Sequence, residues 1–396
     1  MPRNAKGLQR FIILVAVLLF IVQIFVFVRQ IPIAISGDGD FRALYRAANT
    51  IRKGNARELY DRNTNQASEN GAASAANAEP RLDRPAYEAF LFVPFTFLEY
   101  GTAYLAFLVT NLALVSLGIW MIWPYLERLP GVWRWFPPAL FLCFLSTTLS
   151  IVQGADSIVL LTLILASAVA FYRRDEWSSG IFLGLGLFNF QLVLPIAFLF
   201  VCWRRWRIVA GFIIAGAGIT MASMILTGCA WFGVHSHNFL SCFAQFSIPA
   251  TQMEYEVNTA TLPTLRCLLT SLAGSQISPH AVLIVTVIGS ILLLLWTATR
   301  PPSYALAVLV AVLVSQYERI QDGVLLIIPI ALALDARIAP TLRTQEWSRN
   351  IAGLLFAAPT MIYLLGWQYC ILVPLMLALL IPLRSTTWGY DLPAAS

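Results

Sequence analysis

Charge is the scarcest property of this 396-residue chain: only 12% of its residues are Asp, Glu, Lys or Arg, and it holds three histidines. With 59% of residues hydrophobic and a mean hydropathy of +0.73, that scarcity excludes an ordinary soluble domain, of which about a quarter is charged. The bases behind the net charge of +6 lie mostly in short loops between apolar runs. There they set topology and meet anionic lipid, so no nucleic-acid partner is expected. Cysteine is also sparse, and no CxxC occurs among the six. Cys143, Cys202, Cys267 and Cys370 fall in or beside apolar segments. Cys229 and Cys242 share a predicted outer loop, where a disulfide and two small apolar side chains both stay open. His235 and His237 stand two apart on a loop with no third ligand, and no metal is predicted.

What the chain has in abundance is long apolar runs. In lipid every backbone polar group must be bonded inside its own segment, so these runs predict an all-α, polytopic membrane helical bundle. The first run, 11–28, follows Arg3, Lys6 and Arg10 and continues into Arg29, Gln30, Ile31 and Pro32 without a small-residue cleavage site. It reads as an uncleaved span with a cytoplasmic N-terminus. Further bases cluster at Arg128/Arg134, Arg173/Arg174, Arg204/Arg205/Arg207, Arg300, Arg337/Arg343/Arg349 and Arg384. Between them spans are predicted at 101–123, 136–152, 156–172, 206–227, 281–299, 303–316, 322–335, 350–365 and 367–383.

Two stretches need separate treatment. Residues 86–98 are too short for an upright crossing and contain Pro94, and 180–203 carries Pro195 with Asn189 and Gln191 in its middle. Reading the first as a half-depth piece and the second as a helical hairpin broken near Asn189 keeps every basic cluster inside. The whole chain, 1–396, then forms a single domain of about ten to twelve membrane segments. Its outer face collects a first loop (30–85), the turn QGADS (153–157), a second long loop (228–280) and SQYERIQD (315–322). Residues 63–80 read as a mobile polar loop. Trp120, Trp123, Trp133, Trp135, Trp203 and Trp206 read as interfacial anchors.

The first outer loop is the most informative. Phe41, Leu44, Tyr45, Ala48 and Ile51 repeat at the spacing of one helix face, Arg42, Arg46, Asn49, Arg52 and Lys53 fill much of the rest, and Gly54 stops the helix. This predicts an amphipathic helix at the outer interface. Asp40 stands where an N-cap would be, and Asp38 is a turn acid between glycines. The bases serve either as a solvated, phospholipid-contacting face or as phosphate ligands. Asp156 and Asp322 begin apolar runs, so capping is their plain reading. Burial at mid-bilayer would cost either of them about 3 kcal/mol, which favours a boundary or a cavity.

Several stretches together resemble glycosyltransferase family 87, membrane transferases of the GT-C superfamily. GDFRALYRAANTIRKGNARELYD is similar to that family's first-loop signature. FLFVPFTFLEYGTAYLAFLVTN resembles its Tyr-Pro-Pro segment, keeping Pro94, and QGADSIVLLTLIL resembles a Gly-Gln-Asp-Ser turn with Ala155 for Gln. GIFLGLGLFNFQLVLPIAFLF has Asn189 where the family usually has Lys, and LPTLRCLL keeps Arg266. SQYERIQDGVLLIIPIALALD keeps Asp322 but shows Gln316 and Gln321 for His. The resemblance covers about residues 10–340.

It implies a GT-C bundle with an interfacial helix or two in the first loop. It also implies transfer of a hexose, often mannose, from a polyprenyl-phosphate carrier to an outer-face acceptor, with inversion. The acceptor would be a glycan, a glycolipid or a protein, and the donor carries the only activated group, so no cofactor is implied. Asp40 would be the general base. Asp38, Tyr45, Gln153, Asp156, Gln191 and Asp322 would bind substrate. Chemistry agrees: single displacement needs one carboxylate to take the acceptor proton and cations to neutralise the departing lipid phosphate. Arg42, Arg46, Arg266 and Arg319 are the candidates for the second task. The alternatives are a lipid-linked substrate transporter or flippase, which calls for inverted repeats and acids within spans, and a catalytically degenerate homologue, for which the changes at Asn189, Gln316 and Gln321 argue.

Overall fold

Every regular element among the described residues is helical, as apolar runs in lipid require. The structure is a computed structural model and describes residues 3–37, 39–56, 59, 86–126, 136–227, 263–273, 277–315, 320–333 and 342–383. Asp38, Arg319, Gln316, the Arg128/Arg134 pair, Cys229, Cys242, His235, His237 and the 63–80 loop lie outside these residues.

The chain opens with α1 (Arg3–Ser36) and turns at Gly37 into α2 (Asp40–Arg52). After α3 (Ala86–Phe90) and a 3-10 turn (Val93–Phe97) come α4 (Tyr100–Leu126), α5 (Phe136–Leu142), α6 (Leu145–Gln153) and α7 (Ser157–Tyr172). Then follow α8 (Glu176–Leu185), α9 (Phe190–Cys202), α10 (Trp206–Thr227), α11 (Leu265–Ala273) and α12 (Pro279–Ala298). The last described helices are α13 (Tyr304–Val314), α14 (Ile327–Ala333), α15 (Leu342–Leu365) and α16 (Leu372–Leu383).

Among the described residues, five helical stretches are long and apolar enough to cross a membrane: Leu14–Arg52, Tyr100–Pro124, Glu176–Cys202, Trp206–Ile225 and His280–Ala298. Their outward faces carry the exposed Leu, Ile and Phe expected of lipid contact, such as Phe25 and Leu292. The predicted spans at 303–316 and 322–335 play a different part. Every residue of α13 and α14 is buried, so these helices, apolar on all sides, form the centre of the bundle. The predicted span at 136–152 is two short helices with a break at Cys143–Phe144.

Length and hydropathy alone make 176–202 one crossing, but the packing register folds it back. A Cβ on Gly180 would lie 2.1 Å from the Ile208 carbonyl oxygen, and one on Gly184 would lie 2.7 Å from that of Phe212. Both numbers rise together, so α8 and α10 run parallel and α9 between them must reverse. Glu176 and Arg205, at the starts of α8 and α10, form an ion pair at 2.9 Å. The reversal occurs at the 3-10 turn Gly186–Asn189, where Asn189 leaves helical geometry at φ −102, ψ 71. The predicted break near Asn189 is therefore present. Glycines are needed here because the α8 and α10 backbones are in direct contact.

Residues 86–98 form no crossing either: five helical residues, a turn and a five-residue 3-10 helix cannot span about 30 Å. Phe97 is 72% exposed while Thr96 and Phe92 are buried against the protein.

Candidate active site

Segments distant in sequence meet at the N-terminus of α2. The α1–α2 connection brings Gly39 against the turn after α6, where a Cβ on Gly39 would lie 2.9 Å from the Gln153 carbonyl oxygen. One residue on, Gly154 has φ 65, and a Cβ there would lie 2.6 Å from Phe41 Cβ. Only glycine fits this left-handed, backbone-close position. Phe41 is fully buried, stacked on Phe107 at 5.2 Å and edge-on to Tyr104 at 5.9 Å. Tyr104 in turn donates to the Val152 carbonyl at 2.7 Å. An aromatic base thus fixes the start of α2 on the QGADS turn. Of the predicted apolar face, Phe41, Leu44, Ala48 and Ile51 are buried and Tyr45 is half-buried, Ala47 is buried beside them, and Gly54 ends the helix at φ 84.

Gly39, not Asp40, occupies the N-cap; Asp40 is the first helical residue. Its Oδ2 accepts a hydrogen bond from Gln321 Nε2. Gln321 is buried, and its backbone carbonyl accepts from Ser150 Oγ at 2.8 Å, tying it to α6. Next to it Asp322 opens the 3-10 turn leading into α14 and accepts from Ser157 Oγ at 2.5 Å. Asp156 takes the predicted cap position of α7 but makes no side-chain cap bond. It lies near Tyr87 instead: burial, then Glu88, then Asp156 push that phenol far above its ordinary range. Gln191, just past the Asn189 bend, accepts from Ser315 Oγ at 3.4 Å, so the bend reaches the end of α13 that leads to SQYERIQD.

The structure thus gathers Asp40, Gln153, Asp156 and Asp322 into one region, with Gln191 bound to the end of α13 beside it. The cations behave differently. Arg42 donates to the Gly37 carbonyl at 3.2 Å, folding back over the α1–α2 turn. Tyr45 donates to the Leu98 carbonyl at 2.7 Å, so its hydroxyl braces the 86–98 segment. Arg46 is half-buried, and its side chain makes no hydrogen bond or ion pair among the described residues. Arg266 is buried on α11, whose Ser271 bonds Gln368 at 2.8 Å beyond α15. Sequence reasoning missed Glu88, which is fully buried, and the parts played by Ser157 and Gln321. An acid inside the apolar run AYEAFLF was the available signal for Glu88. The described residues contain no group of three or more His, Cys, Asp and Glu side chains placed to hold a metal ion.

Residues 85–316 match the model of glycosyltransferase family 87. The chain belongs to glycosyltransferase family 87. Membership makes this membrane protein a glycosyltransferase. The matched stretch includes Gln153, Asp156, Gln191 and Arg266 and ends before Gln321; Asp40 and its loop lie ahead of it. No curated protein and no solved structure matches the chain.

Proposed function

We propose that this member of family 87 transfers a hexose, mannose foremost, from a polyprenyl-phosphate carrier to an acceptor hydroxyl at the outer face of the cell membrane. The acceptor is a glycan, a glycolipid or a protein, and the anomeric configuration inverts. The fold is a GT-C-like bundle of about ten to twelve membrane segments, with α2 lying in the outer interface. The sidedness is supported by charge. α7 runs from Asp156 to the basic turn Arg173–Arg174, and Arg205 lies at that same far end beside Glu176. By the bias of bases toward the cytoplasm, the Asp40 end faces out.

The observation that carries this reading is Asp40 held by Gln321 where the first loop, the QGADS turn and the start of α14 converge. In a single displacement, Asp40 takes the acceptor hydroxyl's proton as the oxygen bonds the anomeric carbon. Its ordinary basicity suffices, because proton loss accompanies bond formation. Arg46, half-buried and without a side-chain hydrogen bond or ion pair among the described residues, is the cation on α2 that neutralises the departing lipid phosphate, which a water-poor site makes worth several kcal/mol. Asp38, Arg42, Tyr45, Gln153, Asp156, Gln191, Arg266, Arg319 and Asp322 complete the substrate contacts in this proposal.

The test is sugar transfer in membranes from labelled polyprenyl-phosphate mannose to a panel of glycan, glycolipid and protein acceptors, comparing wild type with Asp40→Asn. Transfer lost with Asn and present with Asp supports the assignment. Transfer undiminished by Asn removes Asp40 as the base.

A further inference from the structure

Two cysteines far apart in sequence meet at the Asp40 end of the bundle. Cys267 lies on α11 and Cys370 in the 3-10 turn Tyr369–Ile371 that leads into α16. Both are free and buried, 1% and 7% exposed, and they share a small cluster with Leu268. Ser271, one turn along α11, donates to Cys370 Sγ at 3.3 Å and to Gln368 Oε1 at 2.8 Å. Cys267 and Cys370 are neighbours in that cluster, and burial first, then Cys370, pushes the Cys267 thiol up to about 12.

Their side of the membrane follows from α1. Gln23 Nε2 donates to Thr360 Oγ1 at 3.1 Å, and Gln30 Nε2 to Tyr363 Oη at 3.4 Å. Rising numbers pair with rising numbers, so α1 and α15 run parallel and the turn after α15 lies at the end where α1 turns into α2. That is the end opposite the basic turns, hence the outer side. Disulfides form and persist in such oxidising compartments.

We propose that Cys267 and Cys370 form a structural disulfide that ties α11, the helix of Arg266, to the turn between α15 and α16. Both S–H bonds break, one S–S bond forms, and two protons and two electrons leave. A thiol-oxidising protein disulfide of the outer compartment accepts them and is reduced to its dithiol. The oxidation belongs to folding, because a thiol raised this far yields little thiolate once packed. The bond closes a loop on the order of 100 residues, the kind of closure that most restricts an unfolded chain. It also fixes the helix of a candidate phosphate ligand, a consequence that rests on the proposed transfer reaction.

The test is mass mapping of the full chain from native membranes, alkylated in acid before and after reduction. The expected result is one peptide pair joined through Cys267 and Cys370, lost on reduction, with Cys370 recovered as a free thiol in Cys267→Ser. Alkylation of both cysteines without reductant, or either one joined to another cysteine, overturns the proposal. The readout does not depend on activity: a joined pair in protein that transfers no mannose upholds the disulfide and counts only against the reaction assigned to the site.

Discussion

Gln321 and Asp40 stand 281 positions apart and share a hydrogen bond in which the amide Nε2 donates to the carboxylate Oδ2. An amide donates at every pH, whereas a histidine in its place would gain and lose a proton near neutrality. This protein orients its candidate base with a group that does not titrate.

Replacing Gln321 by Ala is therefore expected to lower the turnover of sugar transfer by roughly 10- to 100-fold, the worth of a hydrogen bond to a charged group. Gln321→His is expected to restore part of the rate and to add a second ionisation at about pH 6.5. The pH–rate profiles of the three proteins in proteoliposomes check both outcomes. An unchanged rate in Gln321→Ala would leave the contact without a positioning role.

Gly154→Ala should destabilise the protein. The left-handed φ of 65 costs an L residue about 1–2 kcal/mol, and the added Cβ would press on Phe41 at 2.6 Å. Gly101→Ala, which meets nothing within 4 Å, is the matched control. Thermal unfolding in detergent should separate the two, with Gly154→Ala melting lower.

Ser157→Ala removes the 2.5 Å bond to Asp322, a carboxylate 5% exposed. Leaving a buried acid one partner short costs about 1–3 kcal/mol. Ser116→Ala, on the exposed side of α4 with only a bond to its own helix, should stay within about 0.5 kcal/mol of wild type. Chemical denaturation midpoints of the two variants provide the comparison.

Asp175 caps α8, and hydrogen bonds from Ser178, its side chain first and then its backbone N–H at 3.1 Å, hold the carboxyl below the ordinary value of 3.8. A depressed folded value stabilises the protein above the unfolded pKa, and that contribution fades as pH falls through the folded one. Carboxyl NMR titration should place the midpoint below 3.8. In Asp175→Asn the acid-side loss of α8 amide protection should flatten.

Much of the framework was legible before any coordinates. The buried face of α2, its stop at Gly54, the limits of α10 and the reversal near Asn189 all follow from local pattern: period, helix breakers and polar residues in an apolar run. α13 and α14 were legible as helices but not as the bundle centre, because an apolar run reads alike whether lipid or protein surrounds it. Asp40 as an N-cap was one position out, since Gly39 packs so closely on the Gln153 backbone that it takes the cap itself.

The sequence by itself determined a helical membrane protein, its family and the short list of polar residues able to do chemistry, because composition and periodicity are local properties of the chain. Tertiary structure alone decided which of those residues meet. Asp40 with Gln321, Ser157 with Asp322, Gln191 with Ser315 and Cys267 with Cys370 are joined by the packing of helices distant in sequence, and no periodicity encodes that.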